Sequence, residues 1–144
     1  MQTEIKAFED LRQAHATLLR DLHGLEWMAN APSGATREEL RQRLRAIRGD
    51  VANHFMLEEQ DVYVNPVLKM EPTWDRKARE LLSEHRSLLH SLDELIAASV
   101  EGARSAVDLR EQVKHWVDQV RQHEIRENEL FDQAGEEDPC CRRD

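Results

Sequence analysis

Cysteine, aromatic side chains and long apolar runs are all scarce in this chain of 144 residues. The longest apolar stretch, residues 95–100, includes Ser99, whereas a membrane-spanning helix needs about 20 apolar residues. The first residues, 1–6, lack the charged and then apolar segments of a secretion signal. We therefore expect a soluble cytoplasmic protein that does not bind a membrane.

The only two cysteines of the sequence, Cys140 and Cys141, are adjacent. Because neighbouring cysteines close only a strained ring, a structural disulfide framework is excluded. We expect residues 135–144 to form a charged tail in which this pair stays reduced, with a redox or soft-metal role as the alternative.

Glycine and proline are also few, at five and four residues, while charged residues make up 34% of the chain. This composition favours long helices over a turn-rich all-β fold. The excess of 29 acidic over 20 basic residues gives a net charge of −9, which disfavours binding to the phosphates of nucleic acids. The length predicts a single domain, which we place at residues 1–134.

Four segments carry apolar or histidine residues at alternating steps of three and four, the pattern of one buried helix face in a bundle. These positions are Phe8, Leu11, His15, Leu18, Leu22 and Leu25; Leu40, Leu44, Ile47, Val51, His54 and Glu58; Trp74, Ala78, Leu81, His85, Leu88, Leu92 and Leu95; and Leu109, Val113, Trp116, Val120, His123, Glu127 and Leu130. Thr36 with Glu39, and Ser105 with Asp108, predict capping boxes for the second and fourth helices. The short connections favour an all-α, up-down-up-down four-helix bundle.

The four patterns form an internal repeat in which one helix carries a His and the next carries His-x-x-x-Glu. The repeated residues are His15, His54 and Glu58 in the first half and His85, His123 and Glu127 in the second. Corresponding residues lie 69 or 70 positions apart. A two-fold arrangement of the halves would bring these six side chains together across one core.

Two of the three His-x-x-x-Glu pairs in this chain point to a metal site. About one such pair is expected by chance, and the pair His90 and Glu94 lies about 200° from Leu88 and its apolar face, so we interpret it as a surface pair. The other two pairs lie on apolar faces, where an unpaired carboxylate is very costly. No Lys or Arg occupies these faces, so a metal cation is the expected partner.

The number and type of these ligands favour a dinuclear centre. Four imidazoles and two carboxylates exceed the needs of one tetrahedral zinc ion. They suit two ions, each held by two imidazoles and bridged by both carboxylates, with room for oxide, hydroxide or water. Mixed nitrogen and oxygen ligands favour iron, with manganese as the alternative. A ferritin-like site is excluded, because no His follows a Glu at the spacing Glu-x-x-His.

Several neighbouring residues have simpler interpretations. His23 and His115 lie about 80° from the apolar faces and are expected on the flanks, with a supporting role behind the ligands as the alternative. Glu59 is expected to be solvated, with a role as a reserve ligand as the alternative. Trp116 is expected in the core.

The chain resembles the hemerythrin-like family, specifically its His-His-Glu cation-binding domains, over about residues 4–134. The matching residues are His15, His54 with Glu58 and Glu59, Glu84 with His85, and His123 with Glu127. The resemblance implies a four-helix bundle around a non-heme di-iron centre. In that arrangement the bridges are Glu58 and Glu127, one iron binds His15 and His54, and the other binds His85 and His123.

The sequence departs from the oxygen-carrying hemerythrins at two ligand positions. Leu89 stands where their third helix has a second His, and Asn128 stands where they have an Asp five residues after the last His. The extra open position argues against simple reversible oxygen carriage. We expect a protein that binds or senses oxygen, peroxide or nitric oxide, with no protein partner indicated. The alternatives are a peroxide-decomposing or oxidase enzyme, an iron-handling or iron-sensing protein without catalysis, and a metal-free helical interaction module.

Overall fold

The computed structural model describes residues 2–31, 34, 36–61, 72–100 and 105–137. Four helices follow one another: α1 (Gln2–Asn30), α2 (Arg37–Asp61), α3 (Pro72–Ala98) and α4 (Ala106–Glu137). Side chains within them are described at residues 9–10, 12–30, 37–60, 75–98 and 106–130. These ranges contain no strand, and the predicted all-α fold is confirmed.

The helices pack as an antiparallel bundle. Gly24 of α1 lies against Arg43 of α2, while the earlier Asp21 pairs with the later Asp50, so the two helices run in opposite directions. The same reversal relates α2 to α3, α3 to α4 and α4 to α1. Each helix therefore packs against two neighbours, and the topology is up-down-up-down.

The helix starts follow the expected capping chemistry. The Thr36 hydroxyl accepts a hydrogen bond from the Glu39 backbone N–H at 3.1 Å, and the Glu39 carboxylate accepts one from the Thr36 N–H at 3.2 Å. Ser105 Oγ likewise accepts a hydrogen bond from the Asp108 N–H at 3.1 Å. These side chains satisfy N–H groups that the first turn of a helix leaves unpaired.

The apolar faces predicted from the sequence meet in one core. The buried cluster contains Leu18, Leu22, Leu25, Ala29, Leu40, Leu44, Ile47, Val51, Phe55, Leu88, Leu92, Leu95, Ala98, Leu109, Val113, Trp116, Val117 and Val120. Trp116 is 1% exposed and donates a hydrogen bond to the Leu88 carbonyl at 3.0 Å, so its predicted core position is confirmed. None of the described helices is long and apolar enough to cross a membrane.

Candidate metal centre

The six side chains singled out in the repeat lie together beyond one end of this apolar cluster. Five of them, His54, Glu58, His85, His123 and Glu127, are at most 2% exposed. His15 differs from the expectation of a buried residue, because its side chain is 32% exposed. The site is therefore sealed by α2, α3 and α4 but reaches solvent beside α1.

The imidazoles form two pairs, which we call the first half-site (His15 and His54) and the second half-site (His85 and His123). The ring centroids are 5.5 Å apart in the first half-site and 4.7 Å apart in the second. Each half-site joins two consecutive helices, α1 with α2 and α3 with α4, as the repeat predicts.

Two carboxylates lie between the half-sites. Glu58 Oε1 is 2.9 Å from Nε2 of His54 and 3.7 Å from Nε2 of His85, so it faces both pairs. Glu127 oxygens lie 2.7 Å from Nε2 of His123 and 3.6 Å from Nε2 of His85. The two carboxyl groups also hydrogen-bond each other. Glu58 therefore contacts both half-sites, while Glu127 contacts the second half-site and lies within 4.8 Å of a ligand atom of His54.

A third buried carboxylate, Glu124, completes the first half-site. Its oxygens lie 3.1 Å from Nδ1 of His15 and 3.2 Å from Nε2 of His54, and the residue is 6% exposed. Glu124 was not among the predicted ligands, because the position directly after His123 lies about 100° from the apolar face of α4. The repeat offered a signal, because Glu124 corresponds in it to Phe55, and both residues are buried.

Further carboxylates contact the Nδ1 atoms of the second half-site, on the side of each ring away from Glu127. Nδ1 of His123 donates a hydrogen bond to Glu84 Oε1 at 2.8 Å, and Arg126 donates one to the same oxygen. Glu59 Oε1 lies 3.6 Å from Nδ1 of His85, although the Glu59 side chain is 42% exposed. A carboxylate on the outer nitrogen of His123 fixes the tautomer whose Nε2 lone pair points inward.

Burial and close contacts shift the pKa values of the ionisable side chains in this cluster. Burial raises the pKa of Glu58 far above its usual range, and the neighbouring Glu127 reinforces this shift. Burial acts on Glu127 in the same sense, but its interaction with Glu58 and its close contacts with His123 and His85 lower the pKa of that carboxyl overall. Desolvation opposes protonation of His123, but its contacts with Glu127 and Glu84 raise its pKa.

The donor atoms fit metal ions better than they fit one another. Among the described residues, the buried atoms His54 Nδ1, Glu58 Oε1 and His123 Nε2 have no hydrogen-bond partner. Glu58 Oε1 lies 2.9 Å from Nε2 of His54, and His123 Nε2 lies 2.7 Å from Glu127 Oε1. Neither contact has the direction of a hydrogen bond. Converging lone pairs of nitrogen and oxygen are the arrangement that a cation stabilises.

The ligand atoms fall into three overlapping groups, each spanning no more than 4.8 Å. The groups are His15, His54 and Glu124; His85, His123 and Glu127; and His54, Glu58, Glu124 and Glu127. Two of these groups each contain two imidazoles and one carboxylate, and the third group shares His54, Glu124 and Glu127 with them.

The remaining histidines lie outside this cluster. His90 is 74% exposed and contacts Glu94 at 2.9 Å, so the surface interpretation of this pair is confirmed. His23 and His115 are also exposed. Residues 135–137 of the predicted charged tail belong to α4, and residues 138–144, with Cys140 and Cys141, lie outside the described residues.

Comparison with known proteins decides the family. The model of the hemerythrin HHE cation-binding domain matches residues 6–134. The chain belongs to the hemerythrin family. Membership of this family supports a metal-binding protein, and the His and Glu groups described above are the candidate ligands. Searches of curated proteins and of solved structures found no match.

Proposed function

We propose that this hemerythrin-family protein holds two iron ions and uses them to bind or sense oxygen, peroxide or nitric oxide. The observation that carries the proposal is the meeting of four imidazoles with buried carboxylates, and no Lys or Arg is buried with them among the described residues. Two cations would neutralise these acids and take up the inward-facing nitrogen and oxygen atoms.

Each side chain has a distinct part in this proposal. The first half-site would hold one ion and the second half-site the other, with Glu58 and Glu127 reaching both. Mixed imidazole and carboxylate ligands suit iron, and manganese is the alternative ion. When bound, ferrous iron supplies electrons and an open position for a small ligand.

The protein around the centre limits which ligands reach it. Phe55 and the buried residues Val51 and Val120 enclose the ligand side chains on the core side and exclude water. The partly exposed His15 is the ligand side chain through which solvent reaches the cluster. A small neutral molecule such as oxygen or nitric oxide fits this path better than a bulky or highly charged substrate.

The decisive experiment loads metal-free protein with ferrous iron under nitrogen and counts the iron bound per chain. Absorption spectra are then recorded on the same sample under nitrogen, air and nitric oxide. We expect about two irons per chain and distinct spectral changes with oxygen or nitric oxide. Fewer than one iron per chain after loading would contradict the proposal.

Two variants make this experiment specific. His54→Ala removes a buried imidazole from the first half-site and should reduce bound iron. His90→Ala is the matched control, because His90 also has a Glu four residues later but lies on the surface.

Rapid turnover of hydrogen peroxide by wild type, without a stable spectral change, would favour the enzymatic alternative over binding or sensing.

A further inference from the structure

A cavity of about 320 Å³ lies between α1 and α2, and none of the proposed metal ligands lines it. Its volume is at the lower end of the range of small-molecule pockets, about 300–1,000 Å³. The exposed side chains of Gln13 and Asn53 are at its mouth, so it is open to solvent. The polar residues that line it are Asp10, Gln13 and Thr17 of α1 and Asp50 and Asn53 of α2. The cavity therefore has the size and the access that a compact organic ligand needs.

The two carboxylates of the cavity lie at its opposite ends. Asp10 and Thr17 of α1 are seven residues apart, which corresponds to a rise of about 10 Å along the helix. Because α2 runs antiparallel to α1, Asp50 lies closer to Thr17 than to Asp10. The contact of Asp50 with Asp21, one turn beyond Thr17, agrees with this register. One acidic group therefore lies at each end of a groove about 10 Å long.

The lining between these ends carries no charge. Its apolar surface comes from Ala14 and Leu57, and its neutral polar groups are the amides and the hydroxyl of Gln13, Asn53 and Thr17. No Lys or Arg is among the described residues that line the cavity. An aliphatic chain with a positive charge at each end would match this order of acidic, neutral and acidic surfaces.

The Asp50 end also lacks a hydrogen-bond donor. Asp50 hydrogen-bonds Asp21, and the buried Oδ2 of Asp21 has no hydrogen-bond partner among the described residues. Arg43 and Arg20 attract the Asp21 carboxylate, but neither lines the cavity. An ammonium group brings a positive charge and three N–H donors, so it complements this end better than a neutral or anionic group does.

We propose that this cavity binds a linear aliphatic diamine, with one ammonium group on Asp10 and the other on Asp50. Charge-assisted hydrogen bonds of this kind are about twice as strong as neutral ones, and the methylene chain between them covers Ala14. An inorganic cation does not reach both carboxylates, which are about 10 Å apart along the helix axis. A monoamine leaves one of them unpaired. The site uses no metal ligand, so it is independent of the proposed metal centre.

Calorimetric titration of the metal-free chain at low salt tests this site with three probes: diaminobutane, butylamine and Mg²⁺. We expect one diaminobutane to bind per chain with a Kd below about 1 mM. Butylamine lacks the second ammonium group, and Mg²⁺ has the double charge in one place, so each should bind at least about tenfold more weakly. Failure of diaminobutane to bind, or equal affinity for diaminobutane and either other probe, would overturn the proposal.

Single replacements test the two ends separately. Asp10→Asn and Asp50→Asn keep the size of the side chain, and each should raise the Kd of diaminobutane at least about tenfold. The affinity of either variant for diaminobutane should then be close to that of wild type for butylamine. Asp118→Asn, at an exposed position of α4, removes the same charge elsewhere and should leave the Kd unchanged.

The variants separate a built site from a general response to charge. An equal loss of affinity in Asp10→Asn, Asp50→Asn and Asp118→Asn would show that diaminobutane responds to net charge alone, and it would overturn the site. Asp10 lies at the far end from the Asp21 and Asp50 pair, so an unchanged Kd in Asp10→Asn overturns the proposal even where Asp50→Asn does not fold.

Discussion

Glu84 of α3 accepts a hydrogen bond at 2.8 Å from Nδ1 of His123 on α4. Desolvation alone would raise the pKa of Glu84, but its hydrogen bonds with His123 and Arg126 lower it overall, so the group stays ionised. The same carboxylate therefore links two helices and directs the opposite nitrogen of His123 into the metal centre.

Replacement of Glu84 should weaken metal binding without disturbing the fold. Glu84→Gln keeps the size of the side chain but removes the charge that makes the imidazole more basic, so we expect metal affinity to fall about 10- to 100-fold. Calorimetric titration with Mn²⁺ measures this change. Glu80→Gln, at an exposed position of α3, is the control, and equal affinities in the two variants would contradict the role of Glu84.

The fold was predictable because burial and local chemistry agree along the described parts of the four helices. The three-and-four spacing identifies the core faces of all four helices, and Thr36 with Glu39 marks the start of α2. The repeat also brings together the six candidate ligands. Pattern reasoning works here because each of these residues lies on the face that its own helix buries.

The rest of the site depends on tertiary packing that one helix does not encode. Glu124 lies beside an apolar face, and only the approach of α1 and α2 turns it into a partner of His15 and His54. The exposure of His15 likewise depends on how α1 packs at the rim of the bundle. Helical spacing alone reveals neither fact.

Asp21 of α1 makes the stability of the bundle sensitive to pH. Burial, reinforced by its hydrogen bond with Asp50, raises the pKa of Asp21 from 3.8 to about 6, against the opposing effect of Arg43 and Arg20. The folded protein then holds a proton that the unfolded chain releases at lower pH. The free energy of unfolding should therefore fall as the pH rises from about 4 to about 6.

Removal of that carboxyl should flatten the pH profile. Asp21→Asn should be more stable than wild type above pH 6 by about 1 kcal/mol, since solvent screens this half-buried group, and equally stable near pH 4. Urea unfolding across pH 4–8 measures both values. Asp118→Asn, at an exposed position, should follow the wild-type profile, and a parallel profile for Asp21→Asn would refute the assignment.

Trp116 and Trp27 provide a matched comparison of buried and exposed tryptophan. Trp116 is 1% exposed and bonds the Leu88 carbonyl, whereas Trp27 is 69% exposed. Trp116→Phe should lower the free energy of unfolding by about 2 kcal/mol, because it loses both packing and a buried hydrogen bond. Trp27→Phe should change it by less than about 0.5 kcal/mol. Similar values for the two variants in chemical denaturation would show that the interhelical hydrogen bond and its packing contribute little.

Metal loading should stabilise the bundle through the buried acids of the centre. Cations neutralise the cluster around Glu58 only in the folded chain, so saturation at about 100 times the Kd should add about 2.7 kcal/mol to the free energy of unfolding for each ion bound. Glu58→Gln keeps the shape of the side chain but removes the carboxyl group that would ionise when it binds a cation. This variant should be at least as stable as wild type without metal, but it should lose most of the gain on loading, because a bridging ligand is missing.

Thermal unfolding with Mn²⁺ and with a chelator measures the gain in stability. Glu94→Gln, at an exposed residue with a His four positions earlier, should keep all of this gain. A full gain in Glu58→Gln would show that the stabilising ions bind elsewhere.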